Sequence, residues 1–143
     1  MIRTTAGCAC LAALALAAAG CGEAKRPTAN VAGTVTFRGK PVPAGFINFL
    51  PDVTAGHSGE VKGFPIVDGR YDTAKGSSPG IYPGAMVIRI SGFDGKAVSQ
   101  WPKGKQIFNE YEFREAVQGG TKDIVVPESA GQNVKVVPTA DPE

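Results

Sequence analysis

The chain has 143 residues, 43% of them apolar and 20% charged, a balance that supports one packed domain and excludes wholesale disorder. Its nineteen glycines and eleven prolines exclude a helical bundle, because both residues are poor in helix interiors, and suit short strands between turns. A formal net charge of +2, dispersed along the chain, argues against nucleic acid as a partner.

Met1-Ile2-Arg3 leads into an alanine-rich apolar run over residues 6–19 that carries Leu11, Leu14 and Leu16. One basic residue, a short apolar run and a small-residue exit have the form of a secretory signal. The run falls short of the roughly 20 apolar residues a spanning helix needs. Its exit, Ala18-Ala19-Gly20-Cys21, resembles the bacterial lipobox, where the signal is cut before a cysteine that has received a diacylglycerol. The resemblance implies a signal peptide over residues 1–20 and a lipid on Cys21. The partner at this end is then a bacterial membrane, and the location exported and lipid-anchored, facing the periplasm or the cell surface. Ordinary cleavage after Ala17-Ala18-Ala19, leaving an unmodified thiol, is the competing reading. All three cysteines, Cys8, Cys10 and Cys21, lie at or before position 21, so the domain that follows has no disulfide framework, cysteine zinc site or cysteine nucleophile.

Residues 21–30 read as a polar tether with a reach of at most roughly 33–36 Å. The folded unit is expected over residues 31–138, with a short tail over 139–143. Val31, Gly33, Val35 and Phe37 alternate with Thr34 and Thr36, as a half-buried strand requires. A turn run over residues 38–45 is stiffened by Pro41 and Pro43, and a second strand over 46–50 stops at Pro51. A polar loop over 52–60 precedes a strand over 61–67. Asp68-Gly69 is the strongest hairpin signal in the chain. After a flexible loop over 75–80 comes a strand over 85–91, with Met86, Ile88 and Ile90 on one face. Residues 109–117 fit a strand better than a helix, since Tyr111, Phe113, Glu115 and Val117 alternate with Glu110, Glu112 and Arg114. Short strands over 124–126 and 134–137 complete the set. Seven or eight short strands, with no room for crossover helices, predict an all-β antiparallel Greek-key β-sandwich.

The run from Val31 to Pro51 reads Gly-Thr-Val, then Gly-Lys-Pro-Val-Pro-Ala-Gly, then Ile-Asn-Phe-Leu-Pro. It resembles the opening of a carboxypeptidase regulatory-like domain. Asp68-Gly69-Arg70-Tyr71 and Pro79-Gly80-Ile81-Tyr82-Pro83-Gly84 are similar to the hairpin and turn that follow in that family. The resemblance implies a prealbumin-like (transthyretin-like) sandwich of about seven strands. With the lipobox-like exit, it implies a small bacterial envelope lipoprotein.

Enzymatic chemistry finds little support in the residues. His57 is the one histidine, in a polar loop beside Ser58, and no nucleophile-elbow pattern accompanies the pair. Zinc is excluded on ligand count. The Asp68–Asp72 and Asp94-Gly95 segments lack the acidic alternation of a calcium loop and read as turns. No phosphate-cradling glycine motif is present, so no cofactor is expected. Prealbumin-fold hydrolases acting on hydroxyisourate use several histidines and a tyrosine-arginine-glycine-serine terminus, which this chain lacks.

Binding is the open question, and it centres on the stretch from Gly92 to Phe108. Phe93, Trp101, Lys103 and Lys105 are its candidate ligand-binding residues, with Lys96 nearby. An exposed indole there would stack on a sugar ring or grip an acidic polymer. The preferred expectation is instead that Trp101 packs over an open end of the sandwich, with Pro102 fixing the bend. The resulting expectation is a non-enzymatic, lipid-anchored envelope protein whose sandwich is a structural or protein-interaction module. The alternative is a module for cell-surface polysaccharide.

Overall fold

The computed structural model describes residues 25–132. The signal segment, Cys21, the strand expected over 134–137 and the tail over 139–143 lie outside the described residues. Nine strands follow in order: β1 (Val31–Phe37), β2 (Lys40–Pro41), β3 (Ala44–Pro51), β4 (Lys62–Val67), β5 (Arg70–Asp72), β6 (Gly84–Phe93), β7 (Gln106–Val117), β8 (Gly120–Thr121) and β9 (Ile124–Val126). Two 3-10 turns, Val53–Ala55 and Glu128–Gly131, are the only helical segments among the described residues.

The strands form one sheet in the order β2-β1-β5-β4-β3-β6-β7. β3, β4 and β5 make a meander whose last strand lies beside β1, which is the four-strand Greek-key order. The sheet curls on itself into a half-barrel sandwich. Alternation places one set of side chains inside on each strand: Val31, Val35 and Phe37 on β1, Ile47 and Phe49 on β3, Phe64 and Ile66 on β4, and Met86, Ile88 and Ile90 on β6. The expected all-β fold and the strand character of residues 109–117 both hold.

Two tight reversals set the register at one end. Asp68 and Gly69 both have positive φ, 49° and 73°, as a two-residue hairpin turn demands. Arg38 and Gly39 do the same at 51° and 72°. Within the expected turn run over 38–45, β2 thus folds back on β1, pairing Phe37 with Lys40 and Thr36 with Pro41.

One departure from a wholly antiparallel sheet occurs at the seam. β8 and β9 both pair with β1 in parallel, Ala32 opposite Thr121 and Val35 opposite Ile124. A parallel pair in an open sheet needs a long crossover. Here the curl brings the end of β7 beside the start of β1, so a reversal through Gly119 and Gly120 is enough. Side chains span the seam as well: Lys122 Nζ lies 2.5 Å from Glu115 Oε2 and 5.8 Å from the centre of the Phe113 ring.

β1, β4 and β6 run in one direction and β3, β5 and β7 in the other. The end of the sheet where β1 and β6 finish is called the upper end below, and the end where they start the lower one.

Candidate functional site

The lower end is closed by the segment that enters β1. Ala29 exchanges two backbone hydrogen bonds with Ile81, at 2.8 and 2.9 Å. Arg26 donates to the Ser58 carbonyl at 2.7 Å. The Tyr82 ring has the Arg26 guanidinium and the Lys62 ammonium each 5.6 Å from its centre. Lys62 also donates to the Ser78 hydroxyl and sits 3.4 Å from Glu60 Oε2. The carboxyl half of the tether expected over 21–30 is therefore docked on the body.

His57 belongs to this structural end. Its Nε2 lies 3.4 Å from the Tyr82 carbonyl, and its ring packs on Gly84, where a Cβ would come within 2.7 Å of Cε1. Ser58 is exposed, and its carbonyl is taken by Arg26. Nothing in this geometry aims His57 and Ser58 at one substrate atom. Two acids, Asp52 beside His57 and Asp123 at the seam, hold local structure. Asp52 Oδ1 accepts from the Thr54 N–H at 3.0 Å, and the Thr54 hydroxyl, against the opposing effect of burial, holds the carboxyl below the usual carboxylate range. Asp123 Oδ1 accepts from the Thr34 N–H at 2.8 Å and from its hydroxyl at 2.9 Å, which lowers it likewise. Among the described residues no group of three or more histidine, cysteine or acidic side chains gathers as a metal site would require.

The upper end carries the candidate binding residues. Past Phe93 the chain continues as an extension of the β6–β7 hairpin. Asp94 N–H bonds the Lys105 carbonyl at 2.9 Å, and Gly95 N–H bonds that of Lys103 at 3.0 Å. Asp94 Oδ1 accepts from the backbone N–H groups of Lys96 and Lys105, at 2.9 and 3.0 Å. Asp94 therefore pins the hairpin foot, and Gly95 beside it has a positive φ of 71°. At the tip Val98 and Trp101 exchange two backbone hydrogen bonds, and the Gly104 N–H returns to the Trp101 carbonyl at 2.9 Å.

This scaffold presents Trp101 outward. Its side chain is 50% exposed and Val98 beside it is 58% exposed, so Trp101 does not pack over an open end of the sandwich. The hydrogen bonds of the tip explain the difference: they hold Trp101 on a hairpin that extends past the end of β6. Phe93 is half-buried at the end of β6, on the outer side, and Lys103 lays its ammonium 4.3 Å from the centre of the Phe46 ring. Lys105 and Lys96 are exposed.

Sequence reasoning missed two residues of this end. Arg38 and Lys40, from the β1–β2 turn, share a depression of about 520 Å³ with Asp94, Pro43 and Ile107 at the hairpin foot. Only the strand directions reveal the juxtaposition. No family model, curated protein or solved structure matches the chain.

Proposed function

We propose that the chain is a non-enzymatic, lipid-anchored envelope protein whose sandwich serves as an interaction module. The observation that carries the reading is the hairpin of residues 94–105, held by backbone hydrogen bonds on a rigid scaffold and presenting an exposed tryptophan. The lipobox-like Ala18-Ala19-Gly20-Cys21 supplies the anchor in this reading. The turn and strand motifs that resemble those of carboxypeptidase regulatory-like domains support a prealbumin-like architecture in this reading. Anchoring is tested by expressing the full chain in a bacterial host and fractionating it. The native protein partitions with membranes and bears a diacylglyceryl mass at Cys21, whereas Cys21→Ala is soluble and unlipidated. Equal membrane partitioning of both proteins refutes the anchor.

The exposure of Trp101 favours a second reading, a module that binds cell-surface polysaccharide through this hairpin. An indole face stacks on the apolar face of a sugar ring, and its N–H remains free for a hydroxyl. Glycan pull-down with native protein and Trp101→Ala tests it, with loss of capture in the variant as the expected result.

A further inference from the structure

Among the described residues, Lys25, Arg26 and Arg70 make no ion pair, and the other ten cations divide by position. Lys62, Lys75, Arg89, Arg114 and Lys122 each lie within 4 Å of a carboxylate. All of these sit at the lower end, at the seam or midway along the sheet. Arg38, Lys40, Lys96, Lys103 and Lys105 gather at the upper end, and none of them makes an ion pair with a described residue.

The acids of the upper end do not neutralise them. Asp68 lies in the β4–β5 turn and Glu128 follows β9, and neither reaches a cation there. Asp94 spends one carboxylate oxygen on the backbone N–H groups of Lys96 and Lys105. Five unpaired cations and three acids thus share this end, with the depression at the hairpin foot between the β1–β2 turn and the hairpin. Like charges held together without counterions are repulsive, and a ligand of opposite sign relieves that repulsion.

Trp101 stands at the crest of this basic end. Its backbone is fixed by the bonds to Val98 and Gly104, so little ordering of the main chain is needed for the indole to engage a ligand. Lys103 is also pre-positioned by its contact with Phe46. A flat apolar platform among unpaired cations fits a chain of sugar rings that carry carboxylate or phosphate groups. β6 has ten residues, so its upper end, from which the hairpin departs, stands roughly 33 Å from the lower end, where the segment before β1 docks. A ligand at the crest is thus held well away from whatever the amino-terminal segment is attached to.

We infer that the upper end is a docking site for an anionic polysaccharide, engaged by Trp101 stacking and by Arg38, Lys40, Lys96, Lys103 and Lys105. The inference rests on the polysaccharide reading above and adds the sign of the ligand. Affinity electrophoresis of the full-length protein tests it, using gels that contain polygalacturonate, neutral dextran or neither, with a parallel sedimentation assay on phosphatidylglycerol vesicles. Polygalacturonate is expected to retard the native protein, with about fivefold weaker binding for each lysine replaced by glutamine. Lys96→Gln, Lys103→Gln and Lys105→Gln lie on an exposed hairpin and leave the core intact, as does Trp101→Ala, which is expected to weaken retardation further. Raising the salt concentration weakens it in the native protein.

Retardation by dextran that Trp101→Ala abolishes and the glutamine variants leave unchanged overturns the inference but keeps the polysaccharide reading. Absence of retardation by either polymer overturns both. Capture of the full-length Cys21→Ala protein by the vesicles alone, lost in the glutamine variants, overturns both and marks the hairpin as a lipid-binding tip.

Discussion

The rings of Phe37 and Phe108 meet with 5.0 Å between their centres, although β1 and β7 are separated in the sheet by β5, β4, β3 and β6. This contact gives the curl of the sheet a physical cause. Phe108 is fully buried, and Gly92 opposite it leaves the ring its space, since a Cβ there would fall 2.3 Å from Phe108 Cε1. The hairpin that carries Trp101 departs from this same junction. Phe108→Ala is expected to destabilise the protein by about 3–5 kcal/mol, the range for a large aromatic removed from a packed core. Urea unfolding followed by tyrosine and tryptophan fluorescence measures it. A loss under about 1 kcal/mol would mean that the two ends of the sheet are held together by something else.

The seam has a second fastening. The Tyr71 hydroxyl donates to the Lys122 carbonyl at 2.8 Å, tying β5 to the turn between β8 and β9. Burial, then the charges of Asp123 and Glu115, push the Tyr71 phenol above its ordinary range, so it stays protonated and able to donate. Tyr71→Phe keeps the ring and deletes only this bond. The expected loss is about 1 kcal/mol, with the amide of Lys122 exchanging faster than in the native protein. Unchanged stability and exchange would remove Tyr71 from the seam's fastenings.

The strand pattern was legible because each inward face repeats every second residue, as Met86, Ile88 and Ile90 do on β6. Asp68-Gly69 was legible because few residue pairs accept positive φ twice in succession. The parallel pairing of β8 and β9 was not, since it depends on the curl of the whole sheet rather than on either segment. The exposure of Trp101 was hidden for a related reason. A tryptophan beside Pro102, between two lysine-containing stretches, reads more readily as a plug than as a crest, and the bonds that decide, from Val98 and Gly104, are made by backbone. Arg38 and Lys40 joined the basic end through topology, which local patterning does not encode.

Asp94 separates the shape of the hairpin from its charge. Asp94→Ala deletes the acceptor of two backbone N–H groups, those of Lys96 and Lys105, while leaving the core untouched. Amide exchange at positions 96 and 105 is expected to accelerate, with the global unfolding midpoint close to the native one. Asp94→Asn retains an oxygen at the same place and is expected to restore most of the protection. Native-like exchange in Asp94→Ala would show that the remaining backbone bonds of the hairpin suffice without the pin.

Acid sensitivity follows from Asp52 and Asp123. Hydrogen bonds from Thr54 and Thr34 favour the charged forms of these carboxyls in the folded protein, so both titrate lower when folded than when unfolded. The unfolded chain then binds protons first, and the stability these groups contribute is present at neutral pH and lost as the solution is acidified through the carboxylate range. The native protein is expected to keep its stability down to about pH 4 and to lose it progressively below that. Asp123→Asn still offers an oxygen to Thr34 but cannot titrate, so it is less stable than the native protein at neutral pH and falls less steeply between about pH 4 and pH 2. Urea midpoints measured across that interval for both proteins decide the matter. Parallel curves would mean that Asp123 contributes nothing to the acid response, leaving Asp52 or residues beyond these two to account for it.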